Sequence, residues 1–396
     1  MMNLKPDARV PVHRPRRVMA VIGTRPDAIK MAPVVQALRA YPDEFACAVV
    51  ATAQHREMLD QVLTLFGITP DFDLDIMTEG QSLADITVRT LTGLDDVIPR
   101  AAPDLVVVQG DAAPSFVGAL AAFYRKIAVA HVEAGLRTAD KYQPFPEEMY
   151  RRMTDVLSDL HFPPTAAARA NLLREGIPAS RITVTGNTVI DALLEVARRD
   201  DPPADPRLRT VLSGAGRRML LTTHRRENWG EPQRGVFRAV LSLLNRFPDL
   251  HLIFPVHPNP VVARPAREIL GDHPRAHLFD PFDYATNVRC QKAATIILTD
   301  SGGIQEEAPA LGRPVLVLRE TTERPEGISA GTALLVGTDR ARIVETVSAL
   351  LTDDAAYGRM SRARNPYGDG RAAKRIAGVL RHHFGFAANL PEEFSV

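Results

Sequence analysis

Short β-branched apolar runs alternate with amphipathic helical segments along nearly the whole chain, and this alternation limits the fold more than any other feature. RVMAVIG, FACAVVAT, LVVVQGD, IAVAHVE, DLHF and ITVTGN read as strands in the first half. RMLLTTH, LHLIFPVH, TIILTD, PVLVLRE and ALLVG read as strands in the second. Between them lie segments such as Asp27 to Arg39, where Met31, Val34, Val35 and Leu38 form one helical stripe. Such alternation is the signature of parallel sheets with crossover helices. A chain of 396 residues exceeds one ordinary core, so two domains are expected. The Pro- and charge-rich stretch ARRDDPPADPRLRTVLSGAGRR, around residues 197–218, is the expected link. The reading is therefore α/β, with Rossmann-like domains at 17–200 and 201–371, a basic tail at 1–16, and a terminal segment at 372–396. The helix of that segment, around Ala372 to Phe384, could pack on either domain.

Composition removes several classes of function. Lysine and arginine total 48 against 47 acidic residues, a net charge of +1, and the signs are interspersed. Neither nucleic acid nor an anionic membrane is favoured as partner. No run approaches the ~20 apolar residues of a membrane span. MMNLKPDARVPVHRPRR lacks the apolar centre of a signal peptide and reads as a loose tail. Cys47 and Cys290 lie in apolar surroundings without metal-ligand spacing, as expected of buried thiols in a reducing cytoplasm.

Ligands of doubly wound sheets bind beyond the carboxyl ends of the strands. After the first strand, Gly23 permits a tight turn, Pro26 suits a first helical position, and Arg25 and Lys30 bring charge to a helix start. After TIILT, Ser301, Gly302 and Gly303 can bring backbone N–H groups and a hydroxyl to a phosphate, with Glu307 one turn further for ribose hydroxyls. A plain strand-to-helix turn with a capping serine is the alternative. No G-x-G-x-x-G follows a strand, because Gly214-Ala215-Gly216 falls in the link, which argues against a nicotinamide cofactor. His224, Arg225 and Arg226 share a turn with the only tryptophan, Trp229, and can hold a departing diphosphate.

Asp111 closes LVVVQGD and Glu133 follows the next strand, so neighbouring strands can present both carboxylates. Pro144-Phe145-Pro146 stiffens the connection that returns with Glu147 and Glu148. Facing carboxylates can titrate apart, giving one acid and one base, although Asp111, Glu147 or Glu148 could also serve a helix start.

Together the segments GTRPDAIKMAPV, AQHREMLDQVL, QGD, HVEAGLRT, FPEE, TGNTVIDAL, HRRENWGEP, PVHPNP, LTDSGGIQEEAPALG, TTERPEG and NPYGDGRA resemble the non-hydrolysing UDP-N-acetylglucosamine 2-epimerases of bacteria. The resemblance spans nearly the whole chain. It implies a fold like that of the B-type glycosyltransferases, with UDP-sugar in the interdomain cleft, and a homodimer. It further implies interconversion of UDP-GlcNAc and UDP-ManNAc through a 2-acetamidoglucal, with neither NAD nor metal. Asp111, Glu133 and Glu147 would then handle protons, and His224, Arg25 and Lys30 the phosphates or the sugar. Ser301, Gly302, Gly303, Glu307 and Arg324 would contact the nucleotide.

Some positions depart from the family's usual pattern. Ala112-Ala113-Pro114 stands where threonines are common, and Asn287 where a phenylalanine often flanks the uracil. A second UDP-GlcNAc activates many relatives; Gln54 and Gln81 are kept here, but Gly80 replaces an arginine found in some. The rival readings are a hydrolysing epimerase releasing ManNAc and UDP, a B-type glycosyltransferase, and a non-catalytic UDP-sugar sensor.

Overall fold

The computed structural model describes residues 14–52, 56–78, 80–138 and 140–396. Its strands are β1 (Arg16–Ile22), β2 (Phe45–Ala51), β3 (Phe72–Asp73), β4 (Leu105–Gln109), β5 (Ala128–Val132) and β6 (Leu160–Phe162), then β7 (Arg217–Thr222), β8 (Leu250–Pro255), β9 (Ala276–Phe279), β10 (Ile296–Thr299), β11 (Val315–Val317) and β12 (Ala333–Leu335). They form two six-stranded sheets, ordered β3-β2-β1-β4-β5-β6 and β12-β11-β10-β7-β8-β9. All pairings are parallel. The chain thus folds as two Rossmann-like α/β units.

The first unit ends at Thr185 and regains Ala373–Glu393, while the second comprises Gly186–Ala372 with Phe394–Val396. Residues 197–218, read from sequence as the link, lie in the second unit and contain the helix Pro206–Ser213, capped by Asp205. The preceding helix, Thr188–Ala197, packs on helices Tyr284–Ala293 and Gly302–Ala310. The terminal helix Ala372–His383 lies almost wholly in the first unit. There Phe384 and Phe386 meet Phe45 edge-on at 6.3 and 5.7 Å, and Arg381 grips Glu44 at 2.6 and 2.9 Å. The partly exposed ion pair contributes up to ~1 kcal/mol, so the aromatic contacts, at ~0.5–1.5 kcal/mol each beyond area burial, dominate this docking.

Strand order and burial explain one another. On β7, Met219 and Leu221 enter one core with Phe237, Leu243 and Phe254, whereas Leu220 enters another with Ile253, Ile297 and Val317. A strand buried on both faces must be apolar at successive positions, and only a parallel sheet covered by helices satisfies it. ITVTGN departs from the strand expectation. Only Ile182 forms a bridge, to His161, because β6 runs into Pro163-Pro164, which has no N–H to extend a ladder. Two short strands, β3 and β9, had no signal strong enough to stand out.

The strand order reverses at the centre of each sheet, between β1 and β4 in the first and between β7 and β10 in the second. Beyond these strands a crevice opens, since the two connections leave on opposite faces. Loops crowd there. A Cβ on Gly23 would meet Pro114 at 2.5 Å, so the turn after β1 abuts the turn after β4. Gly135, after β5, has φ +82° and its Cβ would strike the Ala168 carbonyl at 2.4 Å. Gly135→Ala should destabilise the first unit by more than the ~1–3 kcal/mol of backbone strain alone. Thermal unfolding should show a melting temperature lowered by several degrees; an unchanged value would contradict this packing.

Candidate active site

Lys30 and Glu133 form the centre of the first unit's site. The helix Arg25–Arg39 starts with a capping box, in which Thr24 N–H donates to the Asp27 carboxyl at 3.0 Å and Asp27 N–H donates to the Thr24 hydroxyl at 3.4 Å. Arg25 and Pro26 are therefore its first two residues, and Lys30 points from the second turn. Its ammonium donates to both oxygens of Glu133, at 2.7 and 2.6 Å. The amide of Gln109 donates to the same carboxylate. Glu133 is only 5 % exposed and adopts φ +65°, a conformation that costs a non-glycine residue ~1–3 kcal/mol. Its N–H still donates to Phe162 at 3.0 Å, so the chain turns sharply while keeping its place in the sheet. Asp27 is buried beside this pair. Burial pushes its pKa up to about 7, against the hydrogen bonds from Thr24 and the charge of Lys30.

Asp111 lies at the start of the turn after β4, and Arg151 donates to its carboxylate. Arg151 also reaches Glu148 at 3.6 Å, and Glu148 accepts from Thr138 N–H at 3.1 Å. Arg152 lies 3.9 Å from Glu148 and 3.4 Å from Glu175. Glu175 pairs with Arg137 at 2.7 Å, and Arg137 with Asp155 at 2.6 Å. Asp155 accepts from His131 at 2.6 Å, and the other ring nitrogen of His131 faces the Gly110 carbonyl at 2.8 Å. The charges thus make a circuit that leaves Asp111 and returns to the residue before it. Burial alone would raise the pKa of Asp155, but the charge and hydrogen bond of His131, then those of Arg137, hold it below the usual aspartate range. Glu147 opens the helix Glu147–Leu157 half-buried, with no hydrogen bond or ion pair to another described residue.

In the second unit, Asp300 does for His224 what the capping groups do elsewhere. It is fully buried after β10 and accepts from Thr223 Oγ1, from the backbone N–H of His224 and Arg225, and from His224 Nδ1 at 3.0 Å. Burial opposes its charge, but the His224 contact and these N–H groups keep its pKa below the ordinary value. His224 Nε2 makes no hydrogen bond to a described residue, and its ring is 43 % exposed. The helix Gly302–Ala310 begins beside it with no side-chain cap from Ser301, and a Cβ on Gly302 or Gly303 would meet nothing nearer than 3.9 Å. An uncapped helix start with the Arg324 guanidinium beside it is suited to an anion. Arg324 is held by Glu306, whose other oxygen accepts from Asn187 at 2.8 Å. Glu307 is buried and accepts from Gln291 at 2.8 Å.

Two sets of groups therefore converge at the ends of strands: carboxylates with lysine and arginine in the first unit, and an anion-ready helix start with a fixed histidine in the second. The family model for UDP-N-acetylglucosamine 2-epimerase matches residues 36–381. The chain belongs to that family. It is 52% identical to the UDP-N-acetylglucosamine 2-epimerase of Bacillus subtilis (strain 168) over 379 residues, which cover 96% of this chain and 98% of that one. A solved UDP-GlcNAc 2-epimerase from Neisseria meningitidis, bound to UDP-GlcNAc, superposes with a TM-score of 0.82 at 45% identity, covering 92% of this chain and all of that one. A glycotransferase of kitacinnamycin, at 14% identity and TM-score 0.66, shares the fold alone. The chain is thus an epimerase of glycosyltransferase-B-like fold. Among the described residues no helix is long and apolar enough to cross a membrane.

The positions expected from sequence to depart from the family's pattern have local accounts. Ala112 stands before the helix Ala113–Tyr124 without a side-chain cap, where a hydroxyl would supply one, and Pro114 fills the space over Gly23. Gly80 has φ +70°, a conformation that disfavours arginine, and Gln81 accepts from Thr78 N–H at 3.3 Å. Asn287 lies in the first turn of the helix Tyr284–Ala293, half-buried, its N–H donating to Asp283. Gln54 lies outside the described residues. Sequence reasoning missed the roles of Gln109, His131, Arg151, Asp155 and Glu306. Of these Gln109 and His131 carried a signal, as polar residues within otherwise apolar strands.

Asp155→Asn should remove the counter-charge of Arg137 and the carboxylate partner of His131 and cost ~3–5 kcal/mol, the usual consequence of breaking a buried pair. Because the folded-state pKa of Asp155 is depressed, its stabilisation is present above the unfolded value of ~3.9 and fades as pH falls below it. Thermal unfolding from pH 7 to pH 3 should show wild type losing its advantage over the variant only at the acid end. A constant difference would contradict the charge pairing.

Proposed function

We propose that this epimerase interconverts UDP-GlcNAc and UDP-ManNAc by eliminating UDP and adding it back, without releasing the sugar. One carboxylate takes the proton from C2, the C–H electron pair becomes the C1=C2 bond, and the C1–O bond breaks with its electrons leaving on the UDP β-phosphate. In return, UDP oxygen bonds to C1 and the double bond takes a proton at C2 on the opposite face. The observation that carries this reading is the division of labour: Glu133, Asp111 and Glu147 with Lys30 and Arg25 in the first unit, and in the second the uncapped Gly302–Gly303 helix start beside His224. That second set suits a diphosphate that must hold negative charge as it departs. Arg324 and Glu307 are assigned to the nucleotide through the likeness to the family.

Finer features follow from the same reading. A homodimer is supported by an apolar groove of about 510 Å³ lined by Phe116, Leu120, Met149, Met153 and Val156, with Val156 77 % exposed. A cytoplasmic setting suits Cys47 and Cys290, both free thiols whose pKa burial pushes up to about 12. A second UDP-GlcNAc as activator rests on Gln54 and Gln81, with Gly80 supplying backbone freedom in place of charge. The rival is hydrolysis, in which water captures the sugar and free ManNAc appears.

Proton NMR of the protein with UDP-GlcNAc in D₂O separates these outcomes. UDP-ManNAc should grow in, with the C2 proton lost from substrate and product. Accumulating free ManNAc, or an unchanged spectrum, would contradict the proposal. Glu147→Gln should slow the conversion by ~10²–10⁴, the range for a general acid or base, with binding of UDP retained. Turnover within a few-fold of wild type would remove Glu147 from the mechanism.

A further inference from the structure

Glu148 is an unusual residue to find wholly inside a protein. It follows the proton-handling candidate Glu147, yet it is 0 % exposed and its Oε1 makes no hydrogen bond to a described residue. Glutamate is almost never fully buried unless paired. Its partner Arg151, one turn along the same helix, is itself only 11 % exposed, and its Nε also makes no hydrogen bond to a described residue. Two incompletely satisfied polar atoms in one buried pair call for an explanation, because packing alone would favour an apolar pair. The explanation lies in what Arg151 does with its remaining nitrogen. It donates to Asp111, on the turn after β4. One guanidinium therefore ties the helix turn bearing Glu147 to the turn bearing Asp111.

We propose that Arg151, seated by Glu148, is a positioning residue that fixes the spacing of Asp111 and Glu147 for the epimerisation; this rests on the function proposed above. Asp111 and Glu147 stand on separate elements, 36 positions apart in sequence, and no strand pairing joins them. The helices that follow them pack together, with Phe116 stacked on Tyr150 at 5.5 Å, and the clamp adds the side-chain restraint on the Asp111 carboxylate that this packing does not supply. A displacement of ~1 Å is enough to cost ~10²-fold in rate. A planar guanidinium can address two carboxylates at once, whereas an ammonium is a point charge that cannot reproduce the fork. Glu148 also fixes Thr138 N–H, so it anchors the far end of the Pro-Phe-Pro loop.

The test compares Arg151→Lys, Arg151→Gln and the double variant Glu148→Gln/Arg151→Gln with wild type, reading kcat and KM for UDP-GlcNAc together with thermal unfolding. Arg151→Lys keeps the charge that Glu148 needs and should fold; its kcat should fall by about tenfold with KM little changed. Arg151→Gln should fall by about 10²-fold. The double variant leaves no unpaired charge inside, yet its kcat should remain as low as that of Arg151→Gln, because the clamp is still missing. Folded variants with wild-type kcat would overturn the inference. So would losses that track only the unfolded fraction, or losses confined to KM. A wild type inactive on UDP-GlcNAc would overturn both this inference and the reading it rests on, whereas an active wild type matched by the variants overturns the inference alone.

Discussion

The first unit's site depends on one buried ion pair. Glu133 is a charged side chain almost removed from water, on a residue whose backbone lies in the left-handed region. Neither condition favours folding by itself. Lys30, reaching in from the helix after β1, offsets the burial, and the sheet supplies the backbone restraint through the hydrogen bond to Phe162. The pair therefore needs β1, β5 and β6 in their observed order with β4 between β1 and β5, and it needs the capped start of the helix Arg25–Arg39. A buried pair of this kind is weak evidence for stability, since an apolar replacement is often as stable. Its retention makes sense as chemistry.

The same logic extends outward from Glu133. Asp111, Glu148, Glu175 and Asp155 are each matched with an arginine or histidine, and the chain of pairs closes on the Gly110 carbonyl. Removing one member leaves a neighbour uncompensated, so the array should respond as a unit rather than as a sum of contacts. The second unit solves a different problem by different means. It keeps a helix start bare and fixes one histidine through Asp300, so that positive potential is aimed without a dense array of charges.

How much of this could be read from the sequence depends on how local each feature is. The central strands were legible because burial on both faces leaves an unbroken apolar run, as in LVVV of β4. The positions of Asp111, Glu133, His224 and Ser301 just past strands were legible because each follows an apolar run. The two-residue β3 was too short to show, and ITVTGN misled because its apolar pattern is blind to the prolines after β6. The Pro-rich stretch at 197–218 resembled a link, yet Asp205 caps a helix within it, with Pro206 as its first residue. Ion pairs were illegible for a plainer reason. Asp111 with Arg151, His131 with Asp155 and Arg137 with Glu175 are 40, 24 and 38 positions apart, and their meeting depends on how the helices seat on the sheet. Arg324, expected at the nucleotide, stands against Glu306, a partner that only the folded chain reveals.

The central functional claim is that the C1–O bond breaks and reforms during each inversion. It is tested most directly with UDP-GlcNAc carrying ¹⁸O in the oxygen that bridges C1 and the β-phosphate. If UDP departs and returns, that oxygen becomes equivalent to the other terminal β-phosphate oxygens, and ³¹P NMR should show the label moving to non-bridging positions as epimerisation proceeds. Complete retention of label in the bridge through many turnovers, with labelled UDP added to the solution also failing to enter UDP-ManNAc, would contradict the account.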